Sequence, residues 1–169
     1  MKKSTFLCLL LVIISLYSTA KAQKITDGQT IDLNGMSVTF NILNKETIQN
    51  GGKSFDRYKV AASVKNTSDK SYNIRLSSYP QIVSNTAIVE LNCINATGVK
   101  LTSKKIELKM KAQIINVTYS AYDKSGKFVN SILPVIGSYY FDSGDTINDD
   151  AIFIVPQGEK PDVTVRSLR

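Results

Sequence analysis

The chain has 169 residues, a formal charge of +7, two cysteines and no histidine or tryptophan. Without histidine there is no Ser-His-Asp triad, no Cys-His dyad, no imidazole base and no histidine-ligated zinc. The chemistry left open is a carboxylate pair of the glycosidase kind, Ser-Lys nucleophilic catalysis, or an all-oxygen calcium site.

The first 22 residues read as a secretory signal peptide. Lys2 and Lys3 form the positive region, residues 6–17 the apolar run, and Ala20-Lys21-Ala22 a small-x-small cleavage site. That apolar run is too short to span a bilayer comfortably, and no later stretch offers the roughly 20 apolar residues that a spanning helix needs. Cys8 follows the bulky Leu7 and precedes most of the apolar run, which argues against a lipid-modified cysteine. The expectation is an exported protein, periplasmic, at the cell surface or released, with one domain over residues 23–169. Loss of Lys2, Lys3 and Lys21 lowers the formal charge from +7 to +4. That is mildly basic and lacks the dense Lys/Arg patch interleaved with aromatics that marks a nucleic-acid binder. Cys93 is then the only cysteine, so no internal disulfide forms and the domain must hold by packing. In an apolar stretch it reads as a small buried hydrophobe.

Alternation with period two dominates the rest, and no stretch sustains a helical repeat. The fold expected is all-β, an antiparallel two-sheet immunoglobulin-like β-sandwich of eight to ten short strands. Residues 30–33 and 36–43 flank Asn34-Gly35, a dipeptide suited to the positive φ angles of a type I′ turn. Asn50-Gly51-Gly52 breaks the chain before the alternating Tyr58, Val60, Ala62 and Val64, and residues 66–70 are turn chemistry. Tyr72, Ile74 and Leu76 form a strand that Tyr79-Pro80 ends. One or two strands lie within 82–94. Ile106, Leu108, Met110 and Ala112 then point inward while Lys105, Glu107, Lys109 and Lys111 point outward. Ile115, Val117, Tyr119 and Ala121 alternate on the other parity, which predicts a bulge or a change of sheet near Gln113. Asp123-Lys124-Ser125-Gly126 makes the next hairpin, and Pro134 and Gly137 end the strand over 128–133. The last strands are expected over 151–155 and 163–166.

Three of these segments, VAASVKNTSDK (60–70), VTYSAYDKSGKFV (117–129) and GDTINDDAIFIV (144–155), resemble the recurring segments of FxLYD-type immunoglobulin-like domains of bacterial secreted and envelope proteins. In place of the aromatic-x-Leu lead-in of that family's naming motif this chain has Tyr119-Ser120-Ala121. The resemblance implies a fold and an envelope location, and it brings no catalytic residue.

Candidate sites are few. Asp142, Asp145, Asp149 and Asp150, with Asn148, gather oxygen ligands as a calcium loop does, although the spacing follows no EF-hand. Tyr139-Tyr140-Phe141 stands beside them, and Tyr139, Tyr140, Asp142 and Asp145 together suggest a sugar-binding face. Glu90 and Glu107 are the conceivable catalytic carboxylates, but nothing in the sequence pairs them. Lys100, Lys104, Lys105, Lys109 and Lys111 read as charges that guard an exposed strand against edge-to-edge pairing. The function expected is a non-catalytic contact or adaptor module with no cofactor. Its partner would be another envelope or extracellular protein or, alternatively, a glycan engaged through residues 139–150.

Overall fold

The computed structural model describes residues 22–78, 81 and 83–169; the expected signal peptide up to Lys21, Tyr79-Pro80 and Ile82 lie outside them. Eleven strands follow in chain order: β1 Gln23–Ile25, β2 Thr30–Asp32, β3 Met36–Asn50, β4 Lys53–Asn66, β5 Tyr72–Arg75, β6 Ala87–Ile94, β7 Lys100–Lys109, β8 Lys111–Tyr122, β9 Phe128–Phe141, β10 Thr146–Pro156 and β11 Asp162–Ser167. There is no helix among the described residues, hence none long and apolar enough to cross a membrane. Every pairing is antiparallel. The first sheet has the order β1-β11-β6-β7, the second β10-β4-β3-β2, and the third β5-β9-β8.

The first two sheets form the sandwich. Val38 and Phe40 of β3, Val60, Ala62 and Val64 of β4 and Phe153 of β10 meet Val89, Leu91 and Cys93 of β6, Ile106 and Leu108 of β7 and Val163 and Val165 of β11 in one buried cluster. The strict alternation of β4 follows from having one wet face and one dry one. Each fully buried phenylalanine, Phe40, Phe141 and Phe153, contributes about 1.5–3 kcal/mol by leaving water. The outer face of β6 is covered as well, because Glu90 is screened by Lys105 and Arg166. Burial of Cys93 pushes its thiol up to about 12, so it stays protonated and inert.

The turns follow their sequence signals. Asn34 and Gly35 both have positive φ, at 54° and 86°, and Leu33 and Met36 exchange backbone hydrogen bonds of 2.8 and 3.3 Å across them, as a type I′ hairpin requires. The change of parity expected near Gln113 is a register shift between Gln113 and Ile114, while the change of sheet lies slightly earlier, at Met110 between β7 and β8.

Eleven strands replace the expected eight to ten, and several are long. β3 does not stop at residue 43 but runs on to Asn50, where it turns through Gly51 and Gly52, both with positive φ, into β4. β9 passes through Pro134 and Gly137 without a break; among the described residues the side of β9 away from β8 has no neighbour at Pro134, and an edge strand is where a proline is tolerated. The acidic loop is shorter than the sequence suggested. Only residues 142–145 turn, and β10 begins at Thr146.

Candidate functional site on the third sheet

The third sheet has a foot and a ribbon. At the foot, β5 pairs with the last four residues of β9, bringing Asn73 opposite Tyr140 and Arg75 opposite Ser138, while β8 sets Lys111 opposite Tyr140 and Gln113 opposite Ser138. Cross-strand partners share a face, so Asn73, Arg75, Gln113 and Tyr140 come together on one surface. The opposite surface of the foot belongs to the core. Tyr139, Ile74 and Tyr72 pack against the buried cluster, and the rings of Tyr72 and Phe141 stack at 6.3 Å.

Buried Asn66 at the end of β4 holds the acidic turn against the foot. Its side-chain amide donates to the Lys70 carbonyl at 2.7 Å and the Phe141 carbonyl at 3.3 Å, and its Oδ1 accepts from the Ser68 hydroxyl and N–H. Its backbone bonds both Gly144 and Asp145. The turn thus belongs to the framework. Asp145 is consumed by it: one carboxylate oxygen receives the Lys111 ammonium at 2.5 Å and the other the Asp142 N–H at 2.9 Å, and the lysine beside it holds its carboxyl below the usual range.

The four acids of the calcium reading are therefore divided. Asp142 and Asp145 share the turn, whereas Asp149 and Asp150 lie on β10, pairing with Ala62 and Ala61 of β4. Asp149 faces the seam between β10 and β7, where Ser103, Lys104, Lys105, Glu107 and Lys109 join it around a cavity of about 370 Å³. Among the described residues no three acids, cysteines or histidines gather as metal ligands.

Of the sugar-face residues, Tyr139 turns to the core and Asp145 to Lys111, while Tyr140 and Asp142 open outward with Asn73 and Gln113 around a hollow of about 170 Å³. A second hollow, of about 290 Å³, adjoins it, shares Asn73 and Gln113, and adds Arg75, Ser138, Gly137 and Ile115. Ile115 lies directly over Gly137, where an added Cβ would meet its side chain at 2.7 Å, so glycine lets the groove floor run flat from the foot onto the ribbon. Sequence reasoning missed Asn73, Arg75 and Gln113, because an outward polar residue on a strand reads as ordinary solvation.

Glu90 and Glu107 stand directly opposite each other on β6 and β7. One ammonium, that of Lys105, bridges them at 2.7 and 2.6 Å, and Arg166 adds a contact to Glu90 at 3.0 Å. Hydrogen bonding by Lys105 lowers the pKa of both carboxyls. A glycosidase needs one carboxyl held protonated as its acid; this pair is built to stay ionised.

Beyond the foot, among the described residues, β8 and β9 pair only with each other, from Ile114 opposite Ile136 to Tyr122 opposite Phe128. One face of this ribbon continues the groove with Ile115, Val117, Tyr119, Ala121, Val129, Leu133 and Val135. The other carries Asn116, Thr118, Ser120 and Asn130 among Ile114, Ile132, Pro134 and Ile136. Ile114, Tyr119, Tyr122, Phe128, Ile132 and Leu133 are all exposed. No known protein-family model, curated protein or solved structure matches the chain.

Proposed function

We propose that the protein is an exported, non-catalytic contact module of a bacterial envelope, immunoglobulin-like as the FxLYD resemblance implies, and that it engages another envelope or extracellular protein through the foot of the third sheet. The observation that carries this reading is a difference in how polar groups are used. The buried acids Asp56, Glu90 and Asp162 are matched within the chain, to Lys45, to Lys105 and Arg166, and to Lys24, and the half-buried Asp145 is matched to Lys111. At the foot, among the described residues, the Arg75 guanidinium, the Tyr140 hydroxyl and the Asp142 carboxylate make no intramolecular hydrogen bond, and they flank one continuous groove. A tyrosine and an arginine beside an apolar strip are the side chains that most often anchor protein interfaces.

A photo-crosslinking amino acid placed at Gln113 in producing cells tests this. One protein captured in stoichiometric yield, and lost with Arg75→Glu, is the expected result; diffuse labelling that Arg75→Glu leaves unchanged contradicts it. A second reading, glycan recognition, is favoured by the Tyr140 ring standing beside the side chains of Asn73, Gln113 and Asp142. Oligosaccharide binding abolished by Tyr140→Ala would favour it over the protein partner.

A further inference from the structure

The ribbon raises a question that the groove does not answer. Residues 112–122 and 128–141 contain no charged side chain, in a chain where 21% of residues are charged. Both faces of the ribbon are exposed and both carry large apolar side chains, so an occupant of one face alone leaves the other uncovered. An isolated two-stranded ribbon is at best marginally stable in water. Its surroundings must therefore be apolar on two sides and make no demand for charge.

The dimensions narrow the choice. The stretch from Ile114 to Tyr122, paired with Phe128 to Ile136, has nine residues in each strand. At about 3.3 Å per residue it is roughly 30 Å long, the thickness of a bilayer hydrocarbon core, and a membrane-crossing strand takes about 9–11 residues. Its ends are marked as membrane boundaries are. Tyr122 and Phe128 pack edge to face at 5.4 Å at the tip, followed by the polar turn with Asp123, Lys124 and Lys127; Tyr140 and Lys111 stand at the foot. The two faces differ as the wall of a barrel does. Seven of the eight side chains in the rows Ile115/Val135, Val117/Leu133, Tyr119/Ser131 and Ala121/Val129 are apolar, whereas the other face, with the rows Ile114/Ile136, Asn116/Pro134, Thr118/Ile132, Ser120/Asn130 and Tyr122/Phe128, holds four polar side chains of ten, all of them in its three central rows.

We propose that the β8–β9 ribbon is a membrane-inserting hairpin, and that several copies of the chain set their ribbons edge to edge to close a β-barrel across a lipid bilayer. Closure is required because a lone hairpin would leave the outer N–H and C=O groups of both strands unbonded in hydrocarbon. The face with Val117, Tyr119 and Leu133 meets lipid, and the face with Asn116, Thr118 and Ser120 lines the lumen. The sandwich remains outside the bilayer, and the foot groove stays available for the contact proposed above.

The test uses the purified exported protein and vesicles of phosphatidylethanolamine and phosphatidylglycerol loaded with a self-quenching dye. Two variants place the same charge in adjacent rows on opposite faces: Leu133→Lys toward lipid and Thr118→Lys toward the lumen. Both positions are exposed, so both variants are expected to fold, which circular dichroism and the melting temperature verify. The wild type is expected to release dye. Leu133→Lys should slow release more than about tenfold, because a lysine at mid-bilayer is strongly unfavourable. Thr118→Lys should keep releasing and, in planar bilayers, shift the conductance toward anions. Arg75→Glu at the foot should leave release unchanged, which separates this proposal from the contact reading. No release at any protein-to-lipid ratio overturns the proposal, as does equal loss in the two lysine variants. A soluble dimer that Leu133→Lys dissociates, with vesicles left intact, also overturns it and assigns the ribbon to a second copy of the chain.

Discussion

Two long hairpins leave the sandwich, and their sequences solve the problem of a distant ribbon in opposite ways. The outer part of β3–β4 carries Lys45, Glu46, Lys53, Asp56 and Arg57. Arg57 pairs with Glu46, and Lys45 reaches Asp56 at 2.9 Å across the strands, with its ammonium 5.5 Å from the centre of the Tyr58 ring. β10 follows β4 as far as Phe55, so this hairpin has a third strand along it. Asp56 is tied down further by the Thr47 hydroxyl and the Gly158 N–H, both at 2.8 Å. The β8–β9 ribbon has neither the charges nor the third strand. One hairpin is finished by water and its own salt bridges, and the other presents apolar side chains that none of the described residues covers. A strand's distance from the core does not decide its character; what its side chains are matched to does.

The comparison breaks first under truncation of apolar side chains. Phe153→Ala, in the sandwich, is expected to cost about 3–5 kcal/mol. Leu133→Ala, in the ribbon, should stay within about 0.5 kcal/mol, as exposed positions do. Urea unfolding of the two variants side by side measures this.

Acid sharpens the contrast between the hairpins. The Lys45 ammonium, foremost, and the Gly158 N–H lower the Asp56 carboxyl from an ordinary 3.8 to about 2. A carboxyl lowered on folding stabilises the folded state fully above its unfolded pKa, and that contribution fades as pH falls from about 4 toward 2. Melting temperatures measured across that window should fall in the wild type and fall less steeply in Asp56→Asn. The uncharged ribbon adds nothing to that slope.

Thiol labelling compares the two interiors. Cys93 is fully buried with its pKa pushed up to about 12, so it should react with a thiol reagent only on unfolding. A cysteine introduced by Ser131→Cys, on the exposed ribbon, should be labelled near the rate of a free thiol in the absence of vesicles. The smallest effect expected is none: chelator should leave the melting temperature unchanged. Lys111 already neutralises Asp145, and Asp149 lies away from it on β10 among lysines of β7.

The sequence carried the fold wherever a local requirement coincided with a two-sided environment. Asn34-Gly35 was legible because only such a pair accepts two positive φ angles, and the alternation of Ile106 and Leu108 with Lys105 and Glu107 because β7 has one wet face and one dry. Strand length was not. Past residue 43 β3 leaves the core, alternation no longer marks it, and pairing with β4 keeps it extended, while past Pro134 β9 runs the other way, into the core at Phe141, behind a proline and a glycine that read as its end. Asp149 and Asp150 looked like loop residues for the same reason, since the ladder with Ala62 and Ala61 is invisible in one dimension. At the site, Tyr140 and Asp142 were legible as an aromatic beside an acid. Asn73, Arg75 and Gln113 required the registers of β5, β8 and β9 to bring them to one face. The charge-free run of the ribbon is plain in the sequence, yet its alternation reads as an ordinary half-buried strand until the structure leaves both faces bare.

The measurement that addresses the central claim most directly is hydrogen exchange of the purified protein, followed peptide by peptide with and without lipid vesicles. The account predicts that amides of residues 114–136 exchange quickly in solution while those of β4, β6 and β11 are protected, and that vesicles slow the ribbon alone. Ribbon amides already as protected in dilute solution as the sandwich, and unchanged by vesicles, would contradict it.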